Sequence, residues 1–258
     1  LFEQAGIDPD SIRTWDDLLE AAKELTQDVD GDGRIDIWGL GMPLKPEKTE
    51  MNPMTRSMIE LSTEPIISGD CAPIYATDAG VRSMRMNARF IQENVTPRES
   101  FVYNTDDIVE QFAGGRYAIT VASGLRFPRT QRAATFGGEN MGILQWPTHD
   151  AADYPGPMNV SGWWATAWRD SPNLEEAALF VEHMTSPESV ELWSKVGGQI
   201  PIRTSVLSDP FYSEPENEWM QAILDSWEHW SWMEPTQCNT RTFNADLNIA
   251  LQSYLQDG

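Results

Sequence analysis

Short apolar segments and capped amphipathic helices alternate along the chain, and this alternation constrains the fold more than any other feature. The first long helix is expected after Thr14, whose hydroxyl can cap the first turn together with Asp17 in a capping box. A short strand is predicted over 37–42. Because alternating strands and helices build sheets covered by helices, the sequence predicts an α/β fold.

The same signals place the later elements. Cap residues, first-turn prolines and glycine stops mark helices, and apolar runs mark strands. Helices are predicted to start at Thr77 or Asp78, at Thr105, at Ser171-Pro172 and at Ser186-Pro187, with two more at about 216–230 and 240–256. Strands are predicted over 117–122, 141–145 and 160–168.

Charge and hydropathy exclude several classes of protein. The 258 residues carry a net charge of −22, which disfavours binding to nucleic acid and to anionic membranes. A hydrophobic share of 40 % argues against disorder, and no apolar run approaches the length of a membrane span. The chain opens on Leu1-Phe2 without Met or an apolar leader, so we expect it to be part of a longer protein.

The two cysteines leave two alternatives open. Cys71 and Cys238 are too far apart in sequence to form a metal-binding motif. They form either one disulfide or two free buried thiols.

An acidic loop follows the first helix. Carboxylates at Asp28, Asp30, Asp32 and Asp36 stand at positions 1, 3, 5 and 9 of an EF-hand-like pattern, with glycine at position 6. Arg34 would contribute its backbone carbonyl. Ca²⁺ prefers six to eight oxygen ligands, so the pattern predicts a structural calcium site, although the bidentate glutamate of position 12 is replaced by glycine. The alternative is a solvated Asp/Gly turn.

Eleven tryptophans are distributed along the chain. Trp15, Trp193 and Trp219 fall on apolar helical faces and are predicted to be core residues. Trp163 and Trp164 point to opposite faces of a predicted strand, so one of them can meet a cleft. A further group of tryptophans lies next to polar residues in the sequence: Trp227, Trp230 and Trp232 beside Glu228, His229, Glu234 and Arg241. Flat rings beside hydrogen-bonding groups are what a sugar site needs. An ordinary tryptophan-rich core is the equally weighted alternative.

Signals for catalysis are weak. The chain has no HExxH, Walker, GxGxxG or GxSxG motif. Carboxylates are abundant, so a glycosidase pair stays open as an alternative, but no pair is marked out by its surroundings.

Several loose motifs occur in an order that resembles the carbohydrate-type solute-binding proteins of ABC importers. They span nearly the whole chain: Leu1–Ile7 with Thr14–Leu18, Asp30–Gly33 with Trp38-Gly39, Phe112–Ile119, Gly162–Trp164, and Ala177–Trp193 with Gly198–Arg203. The resemblance implies a type II periplasmic-binding-protein-like fold, in which two α/β lobes close on a ligand around a hinge. It also implies a periplasmic or extracellular location, with a lipid anchor as one form of the complete protein.

The resemblance implies a particular division of this chain. Residues 1–164 and 210–258 would form the C-terminal lobe, and 165–209 would be a remnant of an N-terminal lobe whose remainder is absent. Such a chain would offer half a cleft and would expose a face meant for the other lobe.

The resemblance also implies a set of ligand-binding residues and partners. These are Asn52, Met54, Gly124, Arg126, Trp163, Trp164, Trp232, Glu234 and Arg241. Arg126 favours an acidic or heavily hydroxylated ligand, and a surface ion pair is its alternative role. The protein is thus expected to carry a sugar or polyol to ABC permease subunits without chemistry. The alternatives are a calcium-stabilised glycosidase and an accessory sugar-binding module.

Overall fold

The structure is a computed structural model that describes most of the chain. The described residues are 1–46, 67–74, 76–159, 162, 164–229, 231–232, 238 and 240–257, and the side chains of 159, 228–229, 231–232, 240–244 and 257 lie outside the description. Among the described helices, none is long and apolar enough to cross a membrane.

The first long helix forms where its cap signal predicts it. After the short helix α1 (Phe2–Ala5), α2 spans Trp15–Leu25. The predicted capping box is present: the hydroxyl of Thr14 accepts from the Asp17 backbone N–H at 3.1 Å, and Asp17 accepts from the Thr14 N–H at 2.8 Å. Each bond satisfies a backbone donor that the helix leaves without an internal partner.

Two parallel strands and the helices between them build the centre of the fold. Strand β1 (Trp38–Gly41) is followed by α3 (Asp78–Gln92), α4 (Thr105–Ala113) and β2 (Tyr117–Thr120). β1 and β2 pair in parallel, as strands joined by a helical crossover do. The cap of α4 is Asn104 and not Thr105 as predicted, because the Asn104 side chain accepts from the Asp107 N–H at 3.0 Å.

The second half contains less strand than predicted. Helix α5 (Phe127–Ala133) is followed by β3 (Met158–Asn159), which pairs in parallel with β4 (Ser231–Trp232). The strand predicted over 141–145 is wrong, since this segment pairs with no strand in the described part of the chain. In the predicted strand 160–168, the described residues 162 and 164–168 are also outside any strand. The apolar runs there do not pair with another strand, so the apolar pattern alone overestimated the sheet.

The remaining helices lie in the second half of the chain. They are α6 (Leu174–Met184), α7 (Pro187–Gly197), α8 (Thr204–Leu207), α9 (Glu218–His229) and α10 (Thr240–Asp257). α6 begins at Leu174, two residues later than the Ser171 cap predicts. α7 begins and ends as predicted. The Ser186 hydroxyl accepts from the backbone N–H of Ser189 at the start of the helix. Gly198 ends the helix in the left-handed region, at φ 72°.

Two apolar clusters hold these elements together. The larger one joins α2, β1 and α3 and includes the buried Trp15, Phe90 and Leu40, together with Leu251 from α10. The smaller one joins Val190 of α7 to Val206, Tyr212 and Met220. Trp15 is therefore a core residue as predicted, and Trp219 packs partly buried against the smaller cluster. In the described part of the chain Trp193 is 47 % exposed, so the prediction that it is a core residue is wrong.

A disulfide joins distant parts of the chain. Cys71 and Cys238 are bonded, with their Cα atoms 5.4 Å apart and a sequence separation of 167. Of the two alternatives from the sequence, the disulfide is the one that forms. It ties the segment before α3 to the segment before α10.

Candidate functional site

The carboxyl ends of the parallel strands bring candidate residues to one edge. Ligands of α/β proteins bind at this edge, where loops leave the sheet. β1 and β2 run in the same direction, so the segments after Gly41 and after Thr120 leave the sheet together. The second of these segments turns at Gly124–Arg126 before α5.

Arg126 is held in place by two side chains. Its Nε donates to Oδ1 of Asp106 at 2.9 Å, and its Nη1 donates to Oγ of Ser123 at 2.7 Å. A guanidinium has five N–H donors, and these two contacts use two of them. The ion pair predicted as the alternative role of Arg126 is present. It also orients the guanidinium.

Sequence reasoning missed Asp106 and Ser123 as the residues that orient Arg126. Asp106 lies in the first turn of α4, where an acidic residue already has a helix-stabilising role. No sequence signal separates that role from an ion pair with a residue 20 positions away. Only the packing of α5 beside α4 brings the two together.

Gly124 marks a close approach between this turn and α9. A Cβ at Gly124 would lie 2.5 Å from Cδ1 of Ile223. On the same helix, the carbonyl of Ala222 accepts from Nε2 of Gln145 at 2.8 Å, and Ser226 bonds the side chain of Gln145. α9 therefore lies beside the turn that carries Arg126, and its chain continues to β4.

The second strand pair carries further candidates to its own carboxyl end. Asn159 of β3 is in register with Trp232 of β4. Trp164 follows β3 by five residues, and its side chain is 75 % exposed. Arg241 lies in the first turn of α10. Nothing is described of the side chains of Trp232 and Arg241, and Asn52, Met54, Trp163 and Glu234 lie outside the described residues.

The acidic loop gathers three carboxylates. Oxygens of Asp28, Asp30 and Asp36 lie within 4.8 Å of one another, and all three residues are exposed. Asp28 accepts from the backbone N–H groups of Gly31 and Gly33, each at 2.8 Å. Such a set of hard oxygens matches the ligand preference of Ca²⁺.

The other two predicted metal residues complete the same turn. The Asp32 side chain accepts from the Arg34 N–H at 2.8 Å. Gly33, at φ 89°, has the conformation that position 6 of the pattern requires. The loop precedes β1, so it lies at the amino end of this strand, away from the edge that carries Arg126.

The fold defines the class of protein. It is α/β, with helices over short parallel strands, and it is type II periplasmic-binding-protein-like, as the solved structures below show. The model of the bacterial extracellular solute-binding protein family matches residues 1–220. The chain belongs to this family, whose description is extracellular. The predicted family, type II fold and periplasmic or extracellular location are confirmed.

Solved structures share the fold at low sequence identity. A solute-binding protein of an ABC transporter from Agrobacterium radiobacter K84, in complex with ribitol, matches with a TM-score of 0.76 and 18 % identity over 99 % of this chain. A maltose/maltodextrin-binding domain from Bdellovibrio bacteriovorus, bound to maltotriose, matches with 0.74 and 18 % over 95 %. A solute-binding protein from Thermotoga lettingae TMO, bound with α-D-tagatose, matches with 0.73 and 21 % over 99 %.

The chain is shorter than these structures. It spans 62 %, 61 % and 63 % of their respective lengths. The family and these structures are binding proteins, in line with the expectation of a carrier. No curated protein matches the chain.

Proposed function

We propose that this chain is the larger part of an extracellular solute-binding protein that captures a sugar or polyol for an ABC importer. It would bind without catalysing a reaction and would pass its ligand to permease subunits in the membrane, where a lipid anchor would hold the complete protein. Lobe closure on the ligand would be the signal that the permease recognises. Nucleic acid is not among the proposed partners.

The observation that carries this proposal is that candidate residues follow the carboxyl ends of parallel strands in each of the two described strand pairs. Gly124 and Arg126 follow β2, Trp164 follows β3, and Trp232 ends β4. These are carboxyl ends of parallel strands, where α/β folds bind ligands. An exposed tryptophan ring and an oriented guanidinium suit the C–H face and the hydroxyls of a polyhydroxylated molecule. The ligands in the three similar structures support this class of ligand.

We retain the division of the chain as part of the proposal. Residues 1–164 and 210–258 would form one α/β lobe, and 165–209 would belong to the other. The smaller apolar cluster includes residues on both sides of position 209, so the two parts would meet through packed chain and not through a free linker.

Calorimetry tests the carrier function. The fullest available form of the chain is titrated with maltotriose, D-tagatose, ribitol and D-mannitol, and the recovered ligand is checked for breakdown. Saturable binding with intact ligand is expected. Trp164→Ala should weaken binding roughly tenfold, since stacking contributes about 1.4 kcal/mol. The matched control is Trp168→Ala, a ring of similar exposure outside the candidate set. Ligand breakdown would contradict the proposal and favour the glycosidase.

We further propose that the acidic loop binds Ca²⁺ in a structural role. Asp28, Asp30, Asp32 and Asp36 would supply carboxylate oxygens, and Arg34 its carbonyl. The ion would neutralise the carboxylates of Asp28, Asp30 and Asp36, whose oxygens otherwise repel one another within 4.8 Å. Its position at the amino end of β1 supports a role in stability and not in ligand contact.

A calcium titration followed by thermal unfolding tests the loop. Ca²⁺ at 100 times its Kd is expected to stabilise the chain by about 2.7 kcal/mol. Asp30→Asn should reduce that gain, and Asp153→Asn, an exposed carboxylate outside the loop, should leave it unchanged. No heat on titration and no rise in Tm would contradict the calcium site.

A further inference from the structure

We propose that the Cys71–Cys238 disulfide is a positioning element of the ligand-binding edge. The bridge holds the connection between β4 and α10 in one arrangement, and it thereby raises the affinity for the ligand as well as the stability of the fold. This inference rests on the carrier function proposed above, and it adds two residues that lie outside the candidate set.

Cys238 lies between two candidate ligand-binding residues. Trp232 ends β4 six positions before Cys238, and Arg241 lies in the first turn of α10 three positions after it. A chain of six residues spans about 20 Å at most when it is fully extended. A covalent bond at Cys238 therefore limits where the backbone of both neighbours can move.

Strand β4 alone is a weak support for this connection. It has two residues, which pair with the two residues of β3, whereas strands in globular proteins usually have about five or six. At the other end, the first buried apolar side chain described in α10 is Leu247, followed by Leu251 and Leu255. The bridge adds a fixed point between these two anchors.

The partner cysteine belongs to a tight hairpin of residues 67–73, whose ends pair as an antiparallel bridge. The Ser68 N–H donates to the carbonyl of Ala72, and the Cys71 N–H donates to the carbonyl of Ser68, both at 2.9 Å. The Ser68 hydroxyl accepts from the Ala72 N–H at 3.0 Å. Ile67, at the start of the hairpin, is buried. The hairpin is ordered by its own bonds and anchored at one end, so it can serve as the fixed partner of the bridge.

The backbone of Cys71 has an unfavourable conformation. Its φ is 66°, in the left-handed region, where the Cβ of a residue other than glycine is crowded. Such a conformation persists where the surrounding structure fixes it, and it occurs at positions whose side chain has a specific geometric task. At Cys71 that task is to direct Sγ toward Cys238.

The bridge connects the hairpin to a distant part of the chain. In the part of the chain that the structure describes, the hydrogen bonds of residues 67–74 are all made within this segment. Loss of the bridge would thus release the hairpin from the β4–α10 connection without breaking any of these bonds. Its effect on ligand binding can therefore be separated from unfolding.

A connection that is held before the ligand arrives favours binding. Ordering side chains and backbone during association costs free energy, and a covalent restraint that fixes them in advance removes part of this cost. The restrained connection carries Trp232 at one end and leads to Arg241 at the other. We expect loss of the bridge to weaken ligand binding about tenfold, the effect of ordering one or two further side chains.

Calorimetry with maltotriose, D-tagatose, ribitol and D-mannitol tests the effect on affinity. Cys71→Ser combined with Cys238→Ser is compared with the parent chain at a temperature well below the Tm of both, where a role in stability alone would leave the Kd unchanged. The matched control is Leu19→Ala, which removes a fully buried side chain of α2 and lowers stability at a site outside the connection. Its Kd should equal that of the parent. An equal Kd for parent and double variant, or an equal loss in Leu19→Ala, would overturn the proposal.

Hydrogen exchange without ligand provides a second measurement. Amides of residues 231–238 should exchange at least about tenfold faster in the double variant than in the parent, and Leu19→Ala should keep the parent's rates there. Unchanged exchange in the double variant would overturn the positioning role. If the parent binds none of the four ligands, the carrier function fails, and the exchange measurement then decides the positioning role alone.

Discussion

At the scale of single residues, the start of α4 separates two neighbouring candidates for a cap. Both Asn104 and Thr105 carry a suitable side chain, but only Asn104 has the extended backbone of a cap and accepts from the Asp107 N–H. Asn104→Ala should lower the free energy of unfolding by about 1 kcal/mol in urea denaturation. Thr105→Ala should change it little, since alanine has the higher helix propensity. Equal losses would contradict the assignment of the cap to Asn104, and a larger loss for Thr105→Ala would place the cap at Thr105.

Gly39 is a second residue whose role depends on a contact across the fold. A Cβ at this position would overlap the backbone carbonyl of Ala22 in α2, and backbone cannot move aside as a side chain can. Gly39→Ala should therefore destabilise the protein by about 3 kcal/mol or more. Gly142→Ala is the control, because no atom lies within 4 Å of its Cβ position. Urea denaturation compares the two, and equal stability would contradict the close packing.

At the scale of elements, ion pairs join α2 to the end of α3. Lys23 of α2 binds Glu93, which also accepts from Arg89 at 2.9 Å. The hydrogen bond from Lys23, followed by that from Arg89, lowers the pKa of Glu93 despite partial burial. A carboxyl whose pKa is lower in the folded state stabilises the fold above its unfolded pKa. This stabilisation is lost as the pH falls through the folded pKa.

Lys23→Met should therefore raise the pKa of Glu93 and reduce the loss of stability on acidification below about pH 5. An NMR titration of Glu93 with urea denaturation from pH 3 to 7 measures both. Glu20→Gln removes the other partner of Lys23 and leaves its pair with Glu93, so it should preserve the low pKa. An unchanged titration in Lys23→Met would contradict the assignment.

At the scale of the whole molecule, the disulfide closes a loop of 167 positions. Closing a loop of this length restricts the unfolded chain and stabilises the folded one by roughly 5 kcal/mol in the chain-entropy model. Replacing both Cys71 and Cys238 by Ser should lower Tm by on the order of 10 °C. A reductant should lower the Tm of the parent chain alone. Equal Tm values for parent and double variant would show that the bridge contributes nothing.

How far the sequence predicts this molecule differs between its parts. The helix of Thr14 and the helix of Ser186 begin where their caps stand, because a cap acts on amides within its own first turn. The strand predicted over 141–145 does not form, because pairing depends on a partner strand that local pattern does not specify. Among the candidate site residues, the sequence indicates Arg126 but not Asp106, which approaches it only in the folded chain.

The sequence by itself determined the α/β class, the helix starts after Thr14 and Ser186, the acidic loop and the family resemblance, since each rests on short local patterns in the chain. The tertiary structure decided the pairing of Cys71 with Cys238, the parallel register of β1 and β2, and the exposure of Trp193. These depend on which distant segments meet. Trp15 and Trp193 show the difference: both lie on apolar helical faces, but in the described part of the chain Trp15 is buried and Trp193 is 47 % exposed, because burial is a property of the two surfaces that pack together.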